Sequence, residues 1–151
     1  MSLIDERVHA ARSGDNPCVV CRLNSGWVVL GDVQNQRGYC VLMSDPVVGS
    51  INELTVDRRM SFSRDMWAVG DALLQVTDCY RVNYSVLGNK EAALHAHINP
   101  RYEDEPEETR GKMLPPYFKN PVPFDADRDA GIMQALRGYF QDHGLSRESV
   151  T

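Results

Sequence analysis

The chain has 151 residues, 42% of them apolar and 25% charged, with a net charge of −5 at neutral pH. That length suits one domain with one real core, and the composition excludes bulk disorder and collagen-like structure. The acidic balance disfavours a general nucleic-acid binder, and no apolar run approaches the length of a membrane span.

In chain order, the segment from Ser2 to Ser13 predicts a short helix stopped by Gly14 and Pro17. Asp5, Glu6, Arg7 and Arg12 would spoil a signal peptide there, so a cytoplasmic location is expected. In that compartment the four cysteines are expected as reduced thiols rather than a disulfide framework. Two strand-like runs follow, Trp27–Leu30 and Tyr39–Met43, joined by a polar loop containing Gly31, Asp32 and Gly38. Ser50-Ile-Asn-Glu53 fits a capping box and predicts a helical segment beginning near Ile51. Phe62, Met66, Val69, Leu73 and Val76 lie along one side of a helix, with Asp65, Asp71 and Gln75 elsewhere on it; Asp78-Cys79 ends it.

Between Tyr80 and Leu87, Tyr80, Val82, Tyr84 and Val86 point to one side of a strand, and Arg81, Asn83 and Ser85 to the other. Gly88-Asn89 is a turn dipeptide. The alternation resumes from Ala93 to Asn99, with Leu94, Ala96 and Ile98 against Ala93, His95, His97 and Asn99. An antiparallel pair whose apolar residues share one face puts Asn83, Ser85, His95 and His97 on the other. Residues 1–102 read as the core of the domain. Residues 103–151 read as an acidic and proline-rich arm carrying a last helix that packs on the same domain. The arm holds five acids between Glu103 and Glu108, and Pro106, Pro115, Pro116, Pro121 and Pro123. Asp127 is the expected cap of the last helix, Ile132, Met133, Leu136, Tyr139 and Phe140 its apolar stripe, and Gly144 its stop. No internal repeat is present.

His95-Ala96-His97 carries the chemistry. Strand geometry sends both imidazoles out on one side, about 6.5–7 Å apart. An imidazole is mostly neutral and nucleophilic at pH 7, so one ring can attack phosphorus while the other handles the leaving group's proton. Asn83 and Ser85 can supply hydrogen bonds to phosphate oxygens. The same pair can instead chelate a metal, but a third ligand is then needed, and neither Asn99 nor His143 is well placed in the sequence.

Asn83-Tyr84-x-x-Leu87-Gly88-Asn89 followed by Leu94-His95-x-His97-Ile98-x-Pro100-Arg101-Tyr102 resembles the signature of histidine-triad proteins. The early Cys18-x-x-Cys21, the strand entering at Gly38, the Glu53-Leu54 helix start and the long amphipathic helix are similar in order. The resemblance covers roughly Pro17 to Tyr102. It implies an α+β domain of antiparallel sheet and helices, a homodimer, and nucleotide binding. It further implies hydrolysis or transfer of nucleoside monophosphate groups from phosphoanhydrides, such as dinucleoside polyphosphates, or from phosphoramidates. By position, His95 would be the nucleophile forming a nucleotidyl-histidine, and His97 would contact phosphate and assist the leaving group. Asn83 and Asn89 would lie near ribose and phosphate, and a plain turn role for Asn89 is equally open.

The sequence departs from that signature at Ala93, where the first histidine would stand, at Asn99, and at Tyr39, where many members place another histidine. Two readings therefore stand beside the hydrolase: a nucleotide-binding protein with little turnover, and a metal-dependent enzyme using both histidines. In zinc-bearing members the ligands beside Cys18 and Cys21 would fall at Val47 and Ala93, so no structural zinc and no cofactor are expected. A redox role for Cys18-x-x-Cys21 lacks the surrounding βαβ pattern. Arg58, Arg59 and Arg64 are expected on a solvated helix surface, Arg101 in an ion pair, and Trp67, Tyr80 and Tyr84 in the core.

Overall fold

The computed structural model describes residues 1–112 and 118–147. Five strands form one antiparallel sheet in the order β1-β2-β3-β5-β4: β1 (Val19–Arg22), β2 (Gly26–Leu30), β3 (Cys40–Ser44), β4 (Arg81–Ser85) and β5 (His95–Arg101). Helices α1 (Leu3–Ser13), α2 (Val56–Val76), α3 (Glu107–Arg110) and α4 (Ala130–Asp142) complete an α+β architecture.

Side-chain alternation divides the core between the two sheet faces. On one, Val28, Leu30, Leu42, Ala96 and Ile98 meet Phe62, Val69 and Leu73 of α2 and Leu136 and Phe140 of α4. On the other, Trp27, Val29, Val41 and Met43 meet Ile4, Val8 and Ala11 of α1. With both faces covered, β2 and β3 are buried at every residue, which is why they read as short continuous apolar runs. Leu42, Leu73 and Leu136 have no exposed surface, and truncating one to alanine costs about 2–5 kcal/mol in such a setting.

Helix α1 starts with a reciprocal capping box: Ser2 Oγ accepts from Asp5 N at 3.1 Å, and Asp5 Oδ2 accepts from Ser2 N at 3.0 Å. It ends at Gly14, whose φ of 81° belongs to the left-handed region. The expected box at Ser50 does not form. Ile51–Glu53 is a single 3-10 turn, Ser50 makes no side-chain cap, and the Glu53 carboxylate accepts from Gly49 N instead. Thr55 caps α2, which begins at Val56. Asp127 likewise does not cap α4. That helix starts after Asp129, whose carboxylate accepts from the backbone of Asp125 and the side chain of Arg128.

Trp67, Tyr80 and Tyr84 are not core residues: they are 52%, 44% and 40% exposed. Tyr84 sits on β4, an edge strand, with its hydroxyl over Gly70 of α2. The opposite edge is covered. Arg137 of α4 donates to the carbonyls of Val19 and Val20, and Arg147 N donates to Arg22 O at 2.7 Å. The arm runs back along the β2–β3 loop through Gln34 N to Val122 O (2.7 Å) and Phe124 N to Asp32 O (2.8 Å). The expected prolines Pro115 and Pro116 lie outside the described residues. Among those described, no helix is long and apolar enough to cross a membrane.

Candidate active site

Strand β5 lies between β3 and β4, and the register decides what surrounds its histidines. His95 stands opposite Met43, and His97 opposite Val41 on one side and Ser85 on the other. Both rings therefore project on the α1 side of the sheet, with centroids 4.9 Å apart and planes at 79°. They open into a cavity of about 630 Å³ whose walls are mostly apolar. Leu3, Ile4 and Arg7 of α1 form one side, Leu87 to Glu91 another, and Phe118 and Pro121 come from the arm.

The hydrogen bonds inside the cavity constrain the imidazole tautomers. His95 Nδ1 lies 2.7 Å from the carbonyl of Ala93. A carbonyl can only accept, so Nδ1 carries a hydrogen, and in the neutral ring the lone pair is on Nε2. That is the protonation state a nitrogen nucleophile requires. His97 Nδ1 lies 2.5 Å from the Tyr39 hydroxyl, with the two rings nearly parallel. Burial, and then the electrostatic influence of neighbouring His95, push the His97 ring down to about 4, so at neutral pH it is an uncharged imidazole. Burial also drives the Tyr39 phenol well above its ordinary value, which keeps its proton in place.

The residues expected at the site divide into two groups. His95, His97 and Asn89 line the cavity. Asn83 and Ser85 share the histidines' face but lie outside the lining; Asn83 Oδ1 accepts from Arg101 Nη1 at 2.8 Å. Arg101 is an ion-pair residue, as expected, bound to Glu105 at 2.8 Å, and both side chains are almost fully buried. Arg58, Arg59 and Arg64 are exposed on α2. Gln36 ties this pair to the cavity: it lines the wall and donates to Glu105 Oε1 at 3.0 Å. Sequence reasoning missed the walls. Leu3 and Ile4 read only as parts of a short helix, Arg7 also as a charge against a signal peptide, and Tyr39 as the start of a strand and a departure from a pattern.

No protein-family model matches the sequence, and no curated protein matches it significantly. Solved structures do. A histidine triad protein from Marinobacter aquaeolei superposes with a TM-score of 0.73 at 18% identity, covering 97% of this chain and 99% of that one. One from Bradyrhizobium japonicum gives 0.64 at 24% identity, with coverages of 80% and 88%. This chain has the histidine-triad fold. A third structure, a zinc-bound histidine triad family protein from Mycobacterium smegmatis, gives 0.64 at 13% identity over 89% and 94% of the two chains.

Zinc does not suit the residues present in this version of the histidine-triad fold. Cys18 packs with Val47 and Ala93 in the cluster under α1, whereas Cys21 packs against the opposite cluster. Burial raises both thiols, Cys21 to about 12, so neither is a reactive thiolate on its own. Among the described residues no three histidine, cysteine or acidic side chains are grouped to hold an ion.

Proposed function

We propose that the protein binds a nucleotide and transfers its nucleoside monophosphate group through His95, as a hydrolase or transferase acting on a phosphoanhydride or phosphoramidate. The observation that carries this reading is the bond from His95 Nδ1 to Ala93 O, because in the neutral ring it leaves the lone pair on Nε2, beside an open cavity. Nε2 attacks the α-phosphorus, a P–N bond forms, and the bond to the leaving group breaks. Water then attacks the nucleotidyl-histidine, releasing the nucleoside monophosphate and restoring the neutral ring. The 4.9 Å between ring centroids supports a role for His97 in donating a hydrogen bond to the phosphoryl group or the departing atom. The apolar walls suit a base and ribose recognised largely by shape. Asn89 supports binding from the wall, while Asn83 and Ser85 lie on the same face beside the cavity, with Asn83 held by Arg101.

One observation favours a second reading, binding with little turnover. The Ala93 side chain supplies no imidazole, and His97 stays neutral, so no cationic acid stands ready for a poor leaving group. A panel of dinucleoside polyphosphates and nucleoside phosphoramidates separates the two. Turnover that disappears in His95→Asn while nucleotide affinity persists supports the enzyme, and binding without turnover in the natural protein supports the alternative. Retained turnover in His95→Asn removes His95 from the nucleophile's role. The homodimer implied by the resemblance is supported by the exposed Met60, Trp67 and Tyr84 on α2 and edge strand β4, and sedimentation equilibrium tests it.

A further inference from the structure

Tyr39 is held in place more firmly than its position beside a loop would suggest. Gly38 before it has a φ of 96°, a backbone state that favours glycine, and its N–H donates to Gln34 Oε1 at 2.9 Å. The carbonyl of Tyr39 accepts from Gly31 N at 2.8 Å and from Gln34 Nε2 at 3.0 Å, and its N–H donates to Gln36 O at 3.0 Å. The ring fills the space over Gly31, where a Cβ would lie 2.1 Å from it. Only 8% of the residue is exposed, and its hydroxyl ends 2.5 Å from His97 Nδ1.

We propose that Tyr39 is a positioning residue: its hydroxyl donates to His97 Nδ1 and fixes the hydrogen of that ring on Nε2, the nitrogen offered to the phosphoryl group. The inference rests on the function proposed above and deepens it. Among the described residues His97 Nδ1 is the phenol's hydrogen-bond partner. Were Nδ1 the donor, the phenolic hydrogen would have no acceptor among the described residues. The phenol keeps its proton and the imidazole stays neutral near pH 7, so the donor and the lone pair are both available. The two histidines then hold opposite tautomers before substrate arrives. His95 has its hydrogen on Nδ1 and its lone pair on Nε2, while His97 has the reverse. One backbone carbonyl, just before β5, and one phenol, just before β3, set acceptor and donor side by side.

Nitrogen-15 labelling of the histidines with long-range proton correlation at pH 7 reads the tautomers directly. The expected natural spectrum shows His97 protonated on Nε2 and unprotonated on Nδ1, with His95 reversed. A spectrum with His97 protonated on Nδ1 overturns the proposal without any variant, so the result does not depend on how well a variant folds. Tyr39→Phe keeps the ring over Gly31 and removes the donor. Its His97 resonances should shift towards a mixture of tautomers, and kcat should fall about 10–100-fold with KM nearly unchanged. Unaltered His97 resonances or an unaltered kcat in that variant overturn the proposal. A natural protein that turns over no nucleotide defeats the proposed function, while the natural spectrum still decides which way the Tyr39–His97 hydrogen bond runs.

Discussion

His95 is held by the backbone of Ala93, with Nδ1 donating to that carbonyl across 2.7 Å. A main-chain carbonyl is present whatever side chain the residue bears, so an alanine at this position leaves the His95 tautomer intact. Ala93 itself is buried with Cys18 and Val47 in the apolar cluster under α1. Ala93→His would force an imidazole into that packing. The expected cost is about 1–3 kcal/mol in stability, read from the urea midpoint, with turnover changed by less than about threefold. A tenfold gain in kcat would show that the side chain, and not the carbonyl, is what the site lacks.

Stability should depend on pH through His97. Its folded value, lowered to about 4 from 6.5, means the unfolded chain binds a proton there that the folded chain does not. Its contribution is complete above about pH 6.5 and is lost as pH falls towards 4. The ring is partly exposed, so solvent screening reduces the effect. Melting at pH 7 and pH 4.5 should show a larger loss for the natural protein than for His97→Gln. Equal losses would contradict the assignment.

Arg101 and Glu105 form the buried ion pair behind the site. The guanidinium also donates to Asn83 Oδ1 and to the carbonyls of Thr109, Arg110 and Lys112, tying β4, β5 and the arm together. Glu105→Gln leaves a buried cation without its counter-charge and should cost about 3–5 kcal/mol. A urea midpoint shift at constant slope measures it, and a loss below about 1 kcal/mol would show that solvent reaches the pair.

The split packing of Cys18 and Cys21 has a direct consequence for metal content. Elemental analysis of the purified protein should find far less than one zinc per chain, and a chelator should leave the melting temperature unchanged. One tightly held zinc per chain would mean the two cysteines turn towards a shared ligand set.

Much of the site was legible because strand period is local. Alternation alone placed Asn83, Ser85, His95 and His97 on one face, and the register agrees, with Ser85 opposite His97. What strand period cannot report is depth. Asn83 and Ser85 share the face but stand outside the cavity, because its walls come from Leu3, Ile4, Phe118 and Pro121, far away in the chain. Helix starts failed for a related reason. Ser50 and Thr55 are both good caps in isolation, and Thr55 is the one whose side chain accepts a hydrogen bond from its helix, at Arg58 N. Trp67 lies off the stripe of Phe62, Met66, Val69, Leu73 and Val76, and a large apolar side chain does not by itself report whether a neighbour covers it.

The central claim is that His95 makes a covalent bond to phosphorus. Brief reaction with an α-phosphate-labelled nucleotide, quenching in base to preserve the acid-labile P–N bond, and peptide mapping by mass spectrometry test it most directly. The account predicts label on His95 in the natural protein and none in His95→Asn. Turnover with no label on His95, or label on another residue, would contradict it.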